Sequence, residues 1–100
     1  MIFTKTNIKD VYVIEPDLKS DDRGYFTRIF CLNELRDAEI SFSIVQVNQV
    51  MTKKKGTIRG PHIQKVPYHE GKIVQCTKGS IFDVAIDLRR NSKTFGAWVG

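Results

Sequence analysis

The densest group of chemically capable side chains lies in GTIRGPHIQKVPYHEGK, from Gly56 to Lys72. Arg59, His62, Gln64, His69, Glu70 and Lys72 crowd this stretch, and Asp83 follows on the next apolar-alternating segment. A histidine titrates near neutrality and can abstract a proton from carbon acidified by a carbonyl. A lysine can stabilise the oxyanion that then develops, and an aspartate beside it can keep it charged and in place. On a barrel, inward residues of neighbouring strands converge, so His62, Lys72 and Asp83 could line one cavity. The plainer reading is a row of solvated polar residues facing out of a sandwich. A metal reading is weaker. His62 lacks a second imidazole two positions on, where Gln64 stands, and His69 and Glu70 come only after Pro67. Losing a paired imidazole removes a strong ligand for a first-row metal.

The elements that must position these groups read as short strands. Val11 and Val13 begin one, ended by Pro16 and the polar stretch Asp17 to Asp22. Tyr25 to Phe30, aromatic and β-branched, is a second after a turn at Gly24. Asn33 to Ala38 holds helix formers, with Asn33 as the expected cap of one short helix. Phe42 to Met51 alternates, with Gln46 and Asn48 on the same side. Gly56 to Gln64, Lys72 to Lys78 and Ser80 to Leu88 complete the set, the last with Phe82, Val84, Ile86 and Leu88 on one face and Asp83, Ala85 and Asp87 on the other. A tight turn at Lys78-Gly79-Ser80 predicts an antiparallel hairpin. Many short strands and at most one helix argue an all-β sandwich or barrel. Phe95 to Gly100 (FGAWVG) reads as a further strand beginning, with the expectation that the natural protein continues beyond it.

Composition narrows the function classes. A chain of 100 residues allows a single small domain, in which roughly 60–70% of the unfolded surface can be buried. No apolar run reaches the ~20 residues of a membrane span, and the N-terminal segment lacks the long apolar region of a signal peptide. The cysteines Cys31 and Cys76 form no CxxC pair, so a reducing cytoplasm is the default setting. The net charge of +5 suits a polyanion or an anionic small molecule. Its densest run, Lys53 to Lys55, reads as a solvated turn, and no helix-turn-helix, zinc-finger or aromatic RNA-binding signature accompanies it. We therefore expect neither a nucleic-acid nor a membrane partner.

At these motifs the chain resembles the dTDP-4-dehydrorhamnose 3,5-epimerase family. GTIRGPHIQ, EGKIVQCTKGSIFDVAIDLRRNS and TFGAWVG carry the similarity, and IEP, DDRGYF and VQVN agree upstream in order and spacing. The resemblance implies an all-β cupin jelly-roll barrel over residues 1–100, truncated relative to the family, in a homodimer whose N-terminal strands are exchanged. It implies a metal-free and cofactor-free epimerase that acts on a dTDP-linked 4-keto-6-deoxy sugar at C3, C5 or both. His62 takes the base position, Lys72 the position that stabilises the C4 enolate, and Asp83 a carboxylate lining the same pocket. Arg23, Phe26, Gln46, Asn48 and Arg59 fall where the family holds the nucleotide and its diphosphate.

Several departures accompany the likeness. Pro61 replaces a usual Leu or Met, Arg28 a frequent Glu, and Val47 a more polar residue. Alternation places Arg59 and His62 on opposite faces, which requires a bulge or kink at Gly60-Pro61. The carboxylate that partners the histidine and the tyrosine acid of the family are expected beyond Gly100; Tyr25 and Tyr68 do not match that tyrosine. The alternatives are a catalytically inactive cupin fragment that binds nucleotide sugar or only dimerises, and, more weakly, a related cupin ketoisomerase.

Overall fold

A computed structural model describes residues 1–100. Six short strands pair as three separate antiparallel ladders, joined by one helix. β1 (Ile2–Lys5) pairs with β2 (Tyr12–Glu15), Phe3 opposite Ile14 and Thr4 opposite Val13. The connection is closed by Thr6 N–H donating to Val11 O at 3.1 Å and by Ile8 N–H donating to Thr6 Oγ1 at 3.1 Å. β3 (Leu18–Asp21) pairs with β4 (Gly24–Thr27). The Asp21 carboxylate accepts from the Arg23 backbone N–H at 2.9 Å, the Asx geometry that lets aspartate start a turn. The stretch expected to be a loop after Pro16 therefore forms a strand, because the turn chemistry fixes the register that Leu18-Lys19-Ser20-Asp21 lacks in its side chains. β5 (Ala85–Ile86) pairs with β6 (Trp98–Val99), as the apolar onset at the chain end predicts.

The helix α1 spans Leu32–Asp37. Its N-cap is Cys31, without a side-chain capping bond, so Asn33 lies inside the first turn and does not cap it. The N-terminal ammonium of Met1 instead pairs with Glu34 Oε2 at 2.5 Å, and Arg28 Nη1 donates to Glu34 Oε1 at 2.7 Å. At the other end, Ile40 N–H reaches Leu35 O at 2.8 Å and Glu39 N–H reaches Arg36 O at 2.9 Å. That is the paired closure of a Schellman motif, with Glu39 at φ 60° where glycine is more usual.

The middle of the chain departs from expectation. No ladder forms over residues 42–51, 56–64 or 72–78, the hairpin at Lys78-Gly79-Ser80 is absent, and residues 80–88 pair only at Ala85–Ile86. Alternation specifies which face of a segment is apolar, but a strand exists only where a neighbour accepts its backbone bonds. The chain makes 25 backbone–backbone hydrogen bonds, against roughly 65–70 for a packed domain of this length. Its radius of gyration is 15.6 Å, against about 13 Å for a compact domain of 100 residues. Val45, Val47 and Ile58 are each more than four-fifths exposed. Fully buried apolar side chains are confined to Ile8 and Leu35, beside the N-terminal hairpin and on α1. The content is β with one short helix, in open sheets. No helix is long and apolar enough to cross a membrane.

This distribution predicts a sharp contrast between two truncations. Leu35→Ala should destabilise the chain by about 2–3 kcal/mol in urea titrations, whereas Ile58→Ala should stay within about 0.5 kcal/mol. Equal losses would contradict a packed centre confined to the N-terminal region.

Candidate functional site

The β3–β4 hairpin brings together two of the expected binding residues. Arg23 occupies its turn and Phe26 lies on β4 opposite Lys19. Both line an open concavity of about 370 Å³ with Lys19, Asp21 and Tyr25. Arg23 Nη2 donates to Asp21 Oδ2 at 2.5 Å and Arg23 Nε to the same oxygen at 3.2 Å. These bonds raise the Arg23 guanidinium and hold the Asp21 carboxyl below its ordinary range. The Phe26 ring is exposed and free to take a planar ligand on its face. Lys19, which the sequence reading did not single out, adds a cation to this wall. Its ammonium is 2.6 Å from Asp17.

Arg59 donates through Nε to Thr52 Oγ1 at 3.1 Å. Gly60 has φ 95°, a conformation that side-chain-bearing residues rarely adopt, and the Gly60-Pro61 bond is cis. A Cβ at Gly60 would lie 3.1 Å from the His62 backbone nitrogen and 3.5 Å from its Nδ1, so the imidazole folds back over the glycine. His62 is exposed, as are Gln46, Asn48, Lys72 and Asp83. Gln46 and Asn48 belong to no ladder.

The carboxylate beside Lys72 is Glu70, not the expected Asp83. Lys72 Nζ lies 3.2 Å from Glu70 Oε1. With its amide nitrogen turned toward Glu70, Gln64 donates to Oε1 at 2.7 Å and to Oε2 at 3.2 Å. Gln64, Glu70 and Lys72 thus form a small chain of polar groups, while no hydrogen bond or ion pair links His62, Lys72 and Asp83. The reason is local: Glu70 and Lys72 flank Gly71 on one segment, whereas Asp83 could approach only across a paired strand. His62, His69 and Glu70 do not gather into a cluster able to hold a metal ion.

The most ordered polar centre was not among the expected site residues. Asp87 is buried at 4% exposure. Its carboxylate accepts from Ser92 Oγ at 2.6 Å, Thr94 Oγ1 at 2.7 Å and Arg89 Nε at 2.8 Å. Arg89 leads, ahead of Ser92 and Thr94, in holding the Asp87 carboxyl far below the usual carboxylate range. Arg89 also donates through Nη1 to Asp10 Oδ2 at 3.0 Å and through Nη2 to Lys9 O at 2.9 Å. The available signal was the Asp-x-Arg spacing followed by two hydroxyl residues, Ser92 and Thr94.

A β-rich chain with an arginine and aromatic hairpin, a kinked Arg-Gly-Pro-His segment and a polar lysine cluster has the ingredients of an anionic-ligand site. Its family is shown by comparison. Residues 5–100 match the family described as dTDP-4-dehydrorhamnose 3,5-epimerase, and the chain belongs to that family. It is 40% identical over 99 residues to a protein of that name from Sinorhizobium fredii, covering 99% of this chain and 51% of the relative. Proteins of the same name from Shigella flexneri and Salmonella typhimurium are 43% and 42% identical, with 96% and 100% of this chain and 53% and 55% of the relatives covered. The chain therefore spans about half the length of the curated relatives it matches. No solved structure matches it.

The Asp87 centre makes a pH-dependent prediction. A carboxyl whose folded pKa is depressed binds fewer protons folded than unfolded, so its stabilisation is complete above the ordinary value of about 3.9 and declines as pH falls below it. Asp21, and Glu34 beside the N-terminal ammonium and Arg28, shift in the same direction. Thermal melts followed by circular dichroism should show the midpoint falling below pH 4. Asp87→Asn should lower the midpoint at pH 7 by more than about 5 °C and flatten the acid limb. Parallel curves for the two proteins would contradict this role.

Proposed function

We propose that this chain supplies the nucleotide-binding and proton-abstracting part of an epimerase acting on a dTDP-linked 4-keto-6-deoxy sugar. The match of residues 5–100 to proteins named dTDP-4-dehydrorhamnose 3,5-epimerase carries this reading. On this reading Phe26 stacks on the thymine, and Arg23 and Arg59 make charge-assisted bonds to the diphosphate. Gln46 and Asn48 complete the nucleotide wall. Neutral His62 takes the proton from C3 or C5, each adjacent to the C4 carbonyl, and the electron pair moves onto O4. Lys72 stabilises the enolate, exchanging Glu70 for the developing oxyanion, and Asp83 borders the sugar. His62 releases its proton to solvent, and a solvent-derived proton added to the same carbon from the opposite face, with the electron pair returning from O4, completes the inversion without a redox step.

The fold proposed for the working enzyme is a cupin jelly-roll barrel. Its closure would cover the apolar side chains now exposed at Val45, Val47 and Ile58. A homodimer with exchanged N-terminal strands would pair open ladder edges. A soluble, cytoplasmic setting accords with two free cysteines.

The test uses dTDP-4-keto-6-deoxyglucose in deuterium oxide, read by mass spectrometry, with dTDP binding measured by calorimetry. The chain should incorporate deuterium at C3, C5 or both, and His62→Ala should reduce the rate at least about 100-fold while leaving dTDP affinity within about twofold. Exchange surviving the substitution would remove His62 from the base role. Nucleotide binding without any exchange by the unaltered chain would instead identify an inactive binding fragment.

A further inference from the structure

A second polar concavity shares no residue with the Arg23 and Phe26 wall. It measures about 620 Å³ and lies between the β1–β2 connection and the loop preceding β6. Asn7 and Lys9 contribute from the first, and Arg89, Asn91 and Lys93 from the second, with no apolar residue and no carboxylate in the lining. The hydroxyls of Ser92 and Thr94, also in the wall, are turned to the Asp87 carboxylate.

The charges divide in a way that leaves two cations available. Arg89 is engaged by Asp87 and Asp10, at 2.8 Å and 3.0 Å. Lys9 and Lys93 are exposed and take part in no ion pair, and the exposed Asn7 and Asn91 amides are likewise uncommitted. Arg89 donates to Lys9 O while its own loop is fixed by the buried Asp87, so two segments 80 residues apart are stapled across the concavity. The backbones that carry these donors are thereby kept close to one another before any ligand arrives, which lowers the ordering cost of binding.

We propose that this concavity binds a small multivalent oxyanion of the diphosphate class, with Lys9 and Lys93 as its charged contacts and Asn7 and Asn91 as neutral donors. Lysine ammonium groups and side-chain amides suit several dispersed oxygens, and a multivalent anion is favoured because it can bridge both walls. The site is separate from the nucleotide-sugar site proposed above and does not depend on that reading.

The test titrates the full chain with sodium pyrophosphate, using calorimetry and nitrogen-15 correlation spectra. We expect saturable binding, weakened by added sodium chloride, with the largest shifts at Asn7, Lys9, Asn91 and Lys93. The Lys9→Gln, Lys93→Gln double variant should bind at least about tenfold more weakly, and Lys93→Arg within about threefold of the unaltered chain. Circular dichroism confirms that each variant retains its fold. Lys53→Gln, a charge change outside both concavities, should leave the shifts at Asn7, Lys9, Asn91 and Lys93 unchanged. Absence of saturable binding, equal affinity in the double variant, or shifts confined to Arg23 and Phe26 would overturn the site. So would binding to phosphatidylglycerol vesicles with none to free pyrophosphate, which would make the ligand a lipid headgroup.

Discussion

One buried carboxylate connects the two ends of the chain and ties the N-terminal hairpin to the last one. Asp87 leaves β5, caps the loop that returns to β6 through Ser92 and Thr94, and holds Arg89 in the orientation that reaches Asp10 and Lys9. Burying a carboxylate is costly unless its oxygens are satisfied, and here they take bonds from a guanidinium, two hydroxyls and a backbone N–H. The arrangement turns that cost into a directional constraint. The N-terminal hairpin is joined to the last hairpin by a charged tie rather than by a shared apolar core.

The residues proposed for chemistry sit outside that tie. Arg23 and Phe26 are positioned by a self-sufficient hairpin, whose turn is set by Asp21 and whose register does not depend on the rest of the chain. His62, Lys72 and Asp83 lie in segments without ladder partners, where position is set by local bonds such as Lys72 to Glu70. The exposed valines and isoleucines of the same segments show what is missing physically: neighbours able to take both the backbone bonds and the apolar faces. On the proposed function, the binding hairpin is formed locally, whereas the segments of His62, Lys72 and Asp83 have no ladder partner around them.

The sequence was legible where structure is local. The aromatic and β-branched runs at Tyr12 and Tyr25 became strands, and the helix formers after Cys31 became α1. Legibility failed where structure is relational. Leu18 to Asp21 has no alternation to announce a strand, and only its turn partner Gly24 to Thr27 makes it one. Asn33 is a good cap by type, but Glu34 recruits the N-terminal ammonium and Arg28, and the cap falls two residues earlier, at Cys31. Asp87 was read as one more residue on a polar face, because its partners Ser92 and Thr94 follow a loop and Asp10 lies at the other end of the chain. Apart from the pairing at Ala85–Ile86, alternation from Phe42 onward met no ladder that would give it two faces, and over residues 80–88 it is reversed: Asp87 is buried while Phe82, Val84, Ile86 and Leu88 are exposed.

The proposed function has Arg23, Phe26, Gln46, Asn48, Arg59, His62, Lys72 and Asp83 serve one ligand. Nitrogen-15 spectra recorded during a titration with dTDP-4-keto-6-deoxyglucose test it most directly. The account predicts shifts at all eight residues that follow a single saturation curve, as the dispersed catalytic segments gather around the sugar held by the hairpin. Shifts limited to the concavity at Arg23 and Phe26, with His62, Lys72 and Asp83 unmoved at saturation, would contradict it.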